Sequence, residues 1–461
     1  MKERPSALPL DCLDHILKRL SATQVAACAA VSSDWRASIQ ASPGLWQTLY
    51  NGRYGGGPGG TQNPPRRGMA DPPDWKACLV DKEHRKSLLL GDYQLRTLEG
   101  HSKRVNACAI DLDIVASASS DTTVRLWSLS SSRCLSTLQA PNRSPVVDLQ
   151  LDQHKVAAAA GADVVLWKRL SEPGQCRLLR ILGGHGQRVR AISFDDTDLA
   201  AACQDGTLRL YDLFSGSITS ILRPHSSAAL TTVALNVEYD LLLTGSSDGS
   251  LCLSAASSGE RSANLLPQHP AQEVTCAHLD APRSMVFAAT PRGLTCWDVR
   301  YAKPLWSRTD ARAVSSVHRP QYSSSLVVSA NLAGEIQILD AGNGRTLRSL
   351  TGKSSAQLEK VGDTLSTLSS EGKVDRGERG LRGSETSSAS TAQLSFPRKR
   401  PREAWVDASH SGGDEAKKGL GDGAGVGRTA PLLCVRAGMT KIVGAHTDHT
   451  LTAYDFNHGQ G

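Results

Sequence analysis

Leu98-Glu-Gly-His101, followed by Val115-Ala-Ser-Ala-Ser-Ser-Asp121 and Thr123-Val-Arg-Leu-Trp127, is a pattern that the chain repeats. Ile181-Leu-Gly-Gly-His185 opens a second copy, which runs through Leu199-Ala-Ala-Ala-Cys-Gln-Asp205 to Thr207-Leu-Arg-Leu-Tyr211-Asp212. His101 to His185, Asp121 to Asp205 and Trp127 to Tyr211 are each 84 positions. Two periods of 42 fit that interval, with one weaker unit between them. Val156-Ala-Ala-Ala-Ala-Gly-Ala-Asp163-Val-Val-Leu-Trp167 supplies it, with a shortened turn and no leading His. Self-similarity at such a period decides the architecture before any single residue is weighed.

Working outward, the same frame puts His225, Asp248 and Ser254 in a fourth unit, His269 and Trp297-Asp298 in a fifth, and Leu339-Asp340 in a sixth. The marker at the Trp position advances by 40, 44, 43, 43 and 42. A seventh unit, Lys441-Ile-Val-Gly-Ala-His-Thr-Asp448 leading to Leu451-Thr-Ala-Tyr454-Asp455, follows only after a step of 115. The excess of about 73 residues is an insertion.

Each unit reads as an alternating run after the His, a small-residue run, and a β-branched run ending at the aromatic. A fourth strand per unit makes a propeller blade. One such antiparallel sheet cannot bury both faces, whereas seven stacked around an axis bury a continuous core and leave few open edges. The expected fold is therefore mainly β, a seven-bladed propeller. Tyr93-Gln-Leu-Arg-Thr-Leu98 is a strand left over ahead of unit one. Residues 93 to 98 are expected to complete the last blade beside residues 451 to 456, with the propeller occupying 93–352 and 431–461.

Residues 93 to 456 resemble the WD-repeat family, through the Gly-His, the turn Asp six residues before the aromatic, and the Trp-Asp or Tyr-Asp ending. The resemblance implies a hydrogen-bonded network of His, turn Asp, strand Ser or Thr, and Trp that ties a blade together. His101, Asp121 and Trp127 fit it fully, with Ser117 or Ser119 to complete the set. His185 and Asp205 fit with Tyr211 in place of Trp, and His225 and Asp248 lack the terminal aromatic. Pro291 and Ala333 hold the Asp positions of units five and six. A recurring His, Asp and Ser invites a catalytic reading, but catalysis needs one asymmetric constellation, not copies around a ring. The structural role is the expected one, and no catalytic residue is assigned.

Ahead of the repeats, Leu8-Pro-Leu-Asp-Cys-Leu13-Asp-His-Ile16-Leu17-Lys-Arg-Leu20 places apolar residues at one-face helical spacing, with Pro9 at a natural helix start. Val25 to Ala30, Val31 to Trp35 and Ser42-Pro-Gly-Leu45-Trp46 extend a small all-α module over 1–50, too small to be comfortable alone. Leu8-Pro9, Leu13, Ile16-Leu17, Leu20, Val31, Trp35, Leu45 and Trp46 have a spacing similar to that of the F-box. That resemblance implies docking on a Skp-type adaptor, and through it a cullin, by Leu8, Pro9, Leu13, Ile16 and Leu17, with Trp35 and Trp46 packed inside. Residues 51–92 read as a Gly/Pro-rich linker ending in a spacer helix from Trp75.

The insertion, 353–430, is rich in Gly, Ser and charge and cannot bury enough surface to order itself. Within it Phe396-Pro-Arg-Lys-Arg-Pro-Arg402 resembles a nuclear localisation signal, so the cytoplasm, the nucleus or both are expected. The 461 residues carry net charge +7 and 39% hydrophobic content, with no apolar stretch of the length a membrane span needs. The 11 Cys show no CxxC pair, and no metal or cofactor site is expected. The charge is mild and the aromatics number only 21, so a nucleic-acid groove has little to work with, and neither membrane nor nucleic acid is an expected partner.

An F-box followed by a WD propeller is the layout of substrate receptors of Skp/cullin/F-box ubiquitin ligases, which bind a target protein and catalyse nothing themselves. The alternative is a WD-repeat scaffold of a nuclear assembly without ligase function. Counting just past the buried apolar residue of each inner strand gives Asn106, Asp148, Arg190, Thr231, Thr275 and Ser315 around the entry face. Only Arg190 is basic, which weakens recognition of a phosphorylated target. Arg190 and Gln204 are the candidate target contacts.

Overall fold

The computed structural model describes residues 42–54, 74–226, 228–265, 272–310, 312–320, 325–351, 430–438 and 440–456, together with Leu17, Val25, Ala37 and Ile39. Leu8, Pro9, Leu13, Ile16, Trp35, His269 and the basic run 397–402 lie outside the described residues.

Seven four-stranded antiparallel sheets follow one another in sequence, at 105–139, 146–182, 189–222, 230–265, 276–309, 314–350 and 432–455. The last has three strands of its own. Its fourth and outermost is Gln94–Leu98, which pairs antiparallel with Leu451–Asp455, from Gln94 opposite Asp455 to Leu98 opposite Leu451. The ring is thus closed by a strand that precedes the first blade, as the leftover segment required.

Seven buried apolar clusters fill the joints, each drawn from two neighbouring blades. Leu126, Val146 and Trp167 lie in the cluster between blades 1 and 2, and Val327, Phe287 and Leu339 in that between blades 5 and 6. The seventh joins the ends: Leu98, Val105 and Trp127 pack with Val443 and Leu451. The second strands of blades 1 to 3 are rich in small residues, and both faces of each are covered. In Lys155–Ala160 and Asp198–Cys203 every position but the first is buried. At about 25 cal/mol per Å² of apolar area, these joints are the main stabilising term of the ring.

Two helices ahead of the ring lie wholly within the described residues, Pro43–Tyr54 (α1) and Trp75–Leu90 (α2). Asp74 caps α2, its carboxylate accepting from the N–H groups of Lys76 and Ala77 at 3.0 and 3.1 Å. The first half of α2 belongs to the helical module: Leu79 is buried with Leu17, Val25, Ile39, Leu45, Trp46 and Tyr50. Its second half belongs to the ring. Leu88 is fully buried in the joint between blades 6 and 7, and Arg348 Nη1 donates to the carbonyls of Leu88 and Gly91 at 2.9 and 2.8 Å. His84 Nε2 lies 3.2 Å from the carbonyl of Gly438. The helix expected as a spacer is therefore built into both cores, and the helical module runs past the boundary at residue 50. A helix with one apolar stripe cannot show from spacing alone that different turns of the stripe serve different cores.

Candidate functional site

The repeated polar residues form staples inside blades, with a different hydrogen-bond solution in each. In blade 1, Trp127 Nε1–H donates to Ser117 Oγ at 2.8 Å, Ser117 lies 2.7 Å from His101 Nε2, and His101 Nδ1 lies 2.8 Å from Asp121. The carboxylate only accepts, so Nδ1 carries the proton and Ser117 donates to Nε2. Burial works to raise the Asp121 pKa, but bonds from Thr123, His101 and the Ser102 N–H bring it down to about 2. Burial also lowers His101 and outweighs the pull of Asp121, which keeps the ring neutral. Ser117, not Ser119, completes the set; Ser119 donates instead to the carbonyls of Lys103 and Arg104.

Blade 3 uses the other tautomer. Arg209 donates to His185 Nδ1 at 3.1 Å, so Nε2 carries the proton and points at Tyr211 Oη, 2.9 Å away, whose own O–H donates to the Gly183 carbonyl. Burial, then Arg209, pushes His185 down to about 4. Asp205 makes no direct bond to His185 and instead holds Thr207. In blade 4, His225 reaches Asp248 through Ser250 and is braced on its other side by Thr244.

The first strands of the blades line a central channel with a cavity of about 800 Å³. Six of them carry a one-residue bulge at the entry rim, at Asn106, Val147, Arg190, Thr231, Ser315 and Leu433. Asp148 is thus one step deeper than the sequence count placed it. It pairs with Ala159, at the level where Ala107, Ala191, Thr232, Cys276, Ser316 and Cys434 each face a small residue of the second strand. Two residues further in, His278, His318 and Arg436 hold one level on three consecutive blades, facing Phe287, Val328 and Val443. This trio was not found in the sequence. It becomes visible only after the bulge is counted and equivalent positions are compared around the ring.

Channel side chains also cover the open edges of inner strands. Asp148 accepts from the N–H of Ile192 and Gln150 from that of Phe194, both at 2.8 Å. Ser193 accepts from Leu235, Ser316 from Val435, and His318 Nδ1 from Ala437. Blades 2, 3 and 6 thereby each cap the next.

At the entry rim, Arg190 reaches Glu273 at 3.2 Å, so its charge is already partnered. Gln204 is exposed beside it, its backbone N–H bonded to the Arg188 carbonyl. Lys103, Arg104, Arg143 and Arg188 stand exposed on the loops that enter blades 1, 2 and 3, with no ion pair among the described residues. In the helical module, Leu17 is 2% exposed and lies among Val25, Ile39 and Trp46. Expected as an adaptor contact, Leu17 is instead found in the module's own core. Trp46 is buried as expected, and its Nε1–H donates to the Ile39 carbonyl at 3.0 Å.

Comparison with known proteins agrees with this division. The F-box-like family pattern matches residues 5–52, and the WD domain, G-beta repeat, pattern matches 92–128, 176–212 and 216–253. The chain is a seven-bladed propeller with WD-repeat matches on three blades, preceded by a segment that matches the F-box-like family. An F-box/WD-40 repeat-containing protein of Arabidopsis thaliana is 22% identical over 98% of this chain and 94% of its own length. A second such Arabidopsis thaliana protein is 29% identical over 34% of this chain and 29% of its own. Mitochondrial division protein 1 of Neurospora crassa is 29% identical over 30% of this chain and 18% of its own. The WD patterns fall on blades 1, 3 and 4, the blades that keep the His and turn Asp. The pairing of an F-box-like domain with a WD propeller is that of F-box substrate receptors in general, which are typically non-catalytic.

Proposed function

We propose that the chain is the substrate-recognition subunit of a Skp/cullin/F-box ubiquitin ligase. The F-box-like domain docks a Skp-type adaptor and through it a cullin, and the propeller holds the target protein. The observation that carries this reading is α2, one helix buried at one end in the F-box-like core and at the other in the ring. Such a helix presents a captured target at a set position, which raises the local concentration of its lysines at the conjugating enzyme. Adaptor contact is assigned to Leu8, Pro9, Leu13 and Ile16. Target contact is assigned to the entry face of blades 1 to 3, where Lys103, Arg104, Arg143 and Arg188 suit an acidic segment and Gln204 borders it. The basic run 397–402 supports a nuclear site of action.

Affinity capture from cells tests both ends. Wild-type chain should recover adaptor and cullin, and changing Leu8 and Pro9 to Ala should lose them while target binding persists. Arg143→Glu with Arg188→Glu should do the converse. Capture of targets without adaptor or cullin by the wild-type chain would overturn the ligase reading in favour of a scaffold. A fluorescent fusion with Lys399 and Arg400 changed to Ala should lose nuclear enrichment.

A further inference from the structure

The basic level of the channel is not used by the reading above. We propose that the central channel binds a small free oxyanion of the phosphate class, held by Arg436 with His318 and His278 beside it. Arg436 is the one cationic side chain of the channel wall without an ion pair among the described residues: Arg190 is joined to Glu273, and Lys441 to Asp113 at 2.9 Å. Its Nη1 donates to the carbonyl of Val435 at 3.0 Å, which leaves the rest of the guanidinium fork for the cavity. A cation enclosed without a partner costs several kcal/mol, and a planar fork suits the oxygens of a phosphate.

Among its neighbours the two histidines add donors, while Cys434, whose thiol a bond with Cys108 and the charge of Arg436 bring down to about 6, is the nearby group that answers that charge. His318 Nδ1 accepts from the Ala437 N–H at 3.2 Å, so its proton sits on Nε2, which has no partner among the described residues. The His278 ring stands edge-on to it at 5.2 Å between centroids. Burial, then Arg436, lowers both histidines, His278 to about 3, so both are neutral donors and Arg436 is the charge. Across the channel, the acceptors on blade 2 are already engaged: Asp148 holds the N–H groups of Leu149 and Ile192, and Gln150 that of Phe194. Asp148, whose pKa burial raises, makes no ion pair with Arg436, and in its ionised form it opposes an anion.

Depth from the entry face limits the occupant. Arg436 is three residues along its strand from the rim residue Leu433, or about 10 Å at the rise of a strand, and one residue from the strand's other end at Ala437. A lone carboxylate side chain of a protein resting on the entry face does not reach that level, whereas a diffusing ion does.

The test uses the full chain and inorganic phosphate as probe, by calorimetry and thermal shift at fixed ionic strength, with a short glutamate-rich peptide as a second arm. Wild type should bind phosphate, Arg436→Met at least tenfold more weakly, and Asp148→Asn more tightly. Circular dichroism checks that the variants fold. Should Arg436→Met fail to fold, the direction of the Asp148→Asn change decides. Equal binding by wild type and Arg436→Met, no binding by wild type at tens of millimolar phosphate, no tightening in Asp148→Asn, or peptide binding through Arg436 without phosphate binding would each overturn the proposal. None of these bears on adaptor capture, so this inference and the ligase reading fail separately.

Discussion

Leu98 lies opposite Leu451, as Leu138 lies opposite Val124 in blade 1 and Leu182 opposite Val164 in blade 2. A residue from ahead of the first blade thus occupies the place that the end of an outer strand holds elsewhere, and it is 1% exposed there. Leu98→Ala should lower stability by about 2–5 kcal/mol through the cavity it leaves between blades 7 and 1. Leu182→Ala, at the equivalent place inside the chain, should cost a similar amount in urea unfolding. A negligible cost for Leu98→Ala alone would mean that the closing strand does not hold the ring.

Ser117 is the shared atom of the blade 1 staple. Ser117→Ala leaves Trp127 Nε1–H and His101 Nε2 buried without their partner, a loss of about 1–3 kcal/mol. Ser117→Thr keeps the hydroxyl and should recover part of it. Urea midpoints of the two variants against wild type check this.

Stability should fall with acid in a defined window. His101, His185 and His225 are all held below the ordinary value of 6.5, His185 at about 4. Depressed folded-state values mean that the unfolded chain takes up protons first. The stabilisation is present above pH 6.5 and is lost as the pH falls from there toward 4. The urea midpoint should be lower at pH 5 than at pH 7.5, and His185→Gln should reduce that difference. A midpoint independent of pH across this range would contradict the neutral staples.

Leu88 ties the ring to the helical module. Leu88→Ala empties a fully buried site between blades 6 and 7 and should cost about 2–5 kcal/mol. Arg348→Met, which strips the bonds to the Leu88 and Gly91 carbonyls, should speed hydrogen exchange at the C-terminal turn of α2 relative to the blade strands.

The ring was legible because its signals are local and repeated. Asp121 and Trp127 sit at fixed offsets from a turn, and Leu98 ends a strand with no unit of its own to join. Asp148 was placed one level too high because a bulge adds a residue without changing composition. Arg436, His318 and His278 were missed because their meeting depends on three strands separated by 40 and 118 positions. That Leu17 lies in the module's own core was not legible, because an apolar stripe does not say which of its members face inward.

The length of α2 acts as a phase as well as a distance. Leu79 and Leu88 are nine residues apart, about 14 Å along the axis, and each is locked in its own pocket. One residue inserted between them would turn the upstream bundle by about 100° relative to the ring. Whatever is carried at either end is therefore aimed, like two heads keyed to one shaft, and a substitution far from both binding surfaces can misdirect one toward the other.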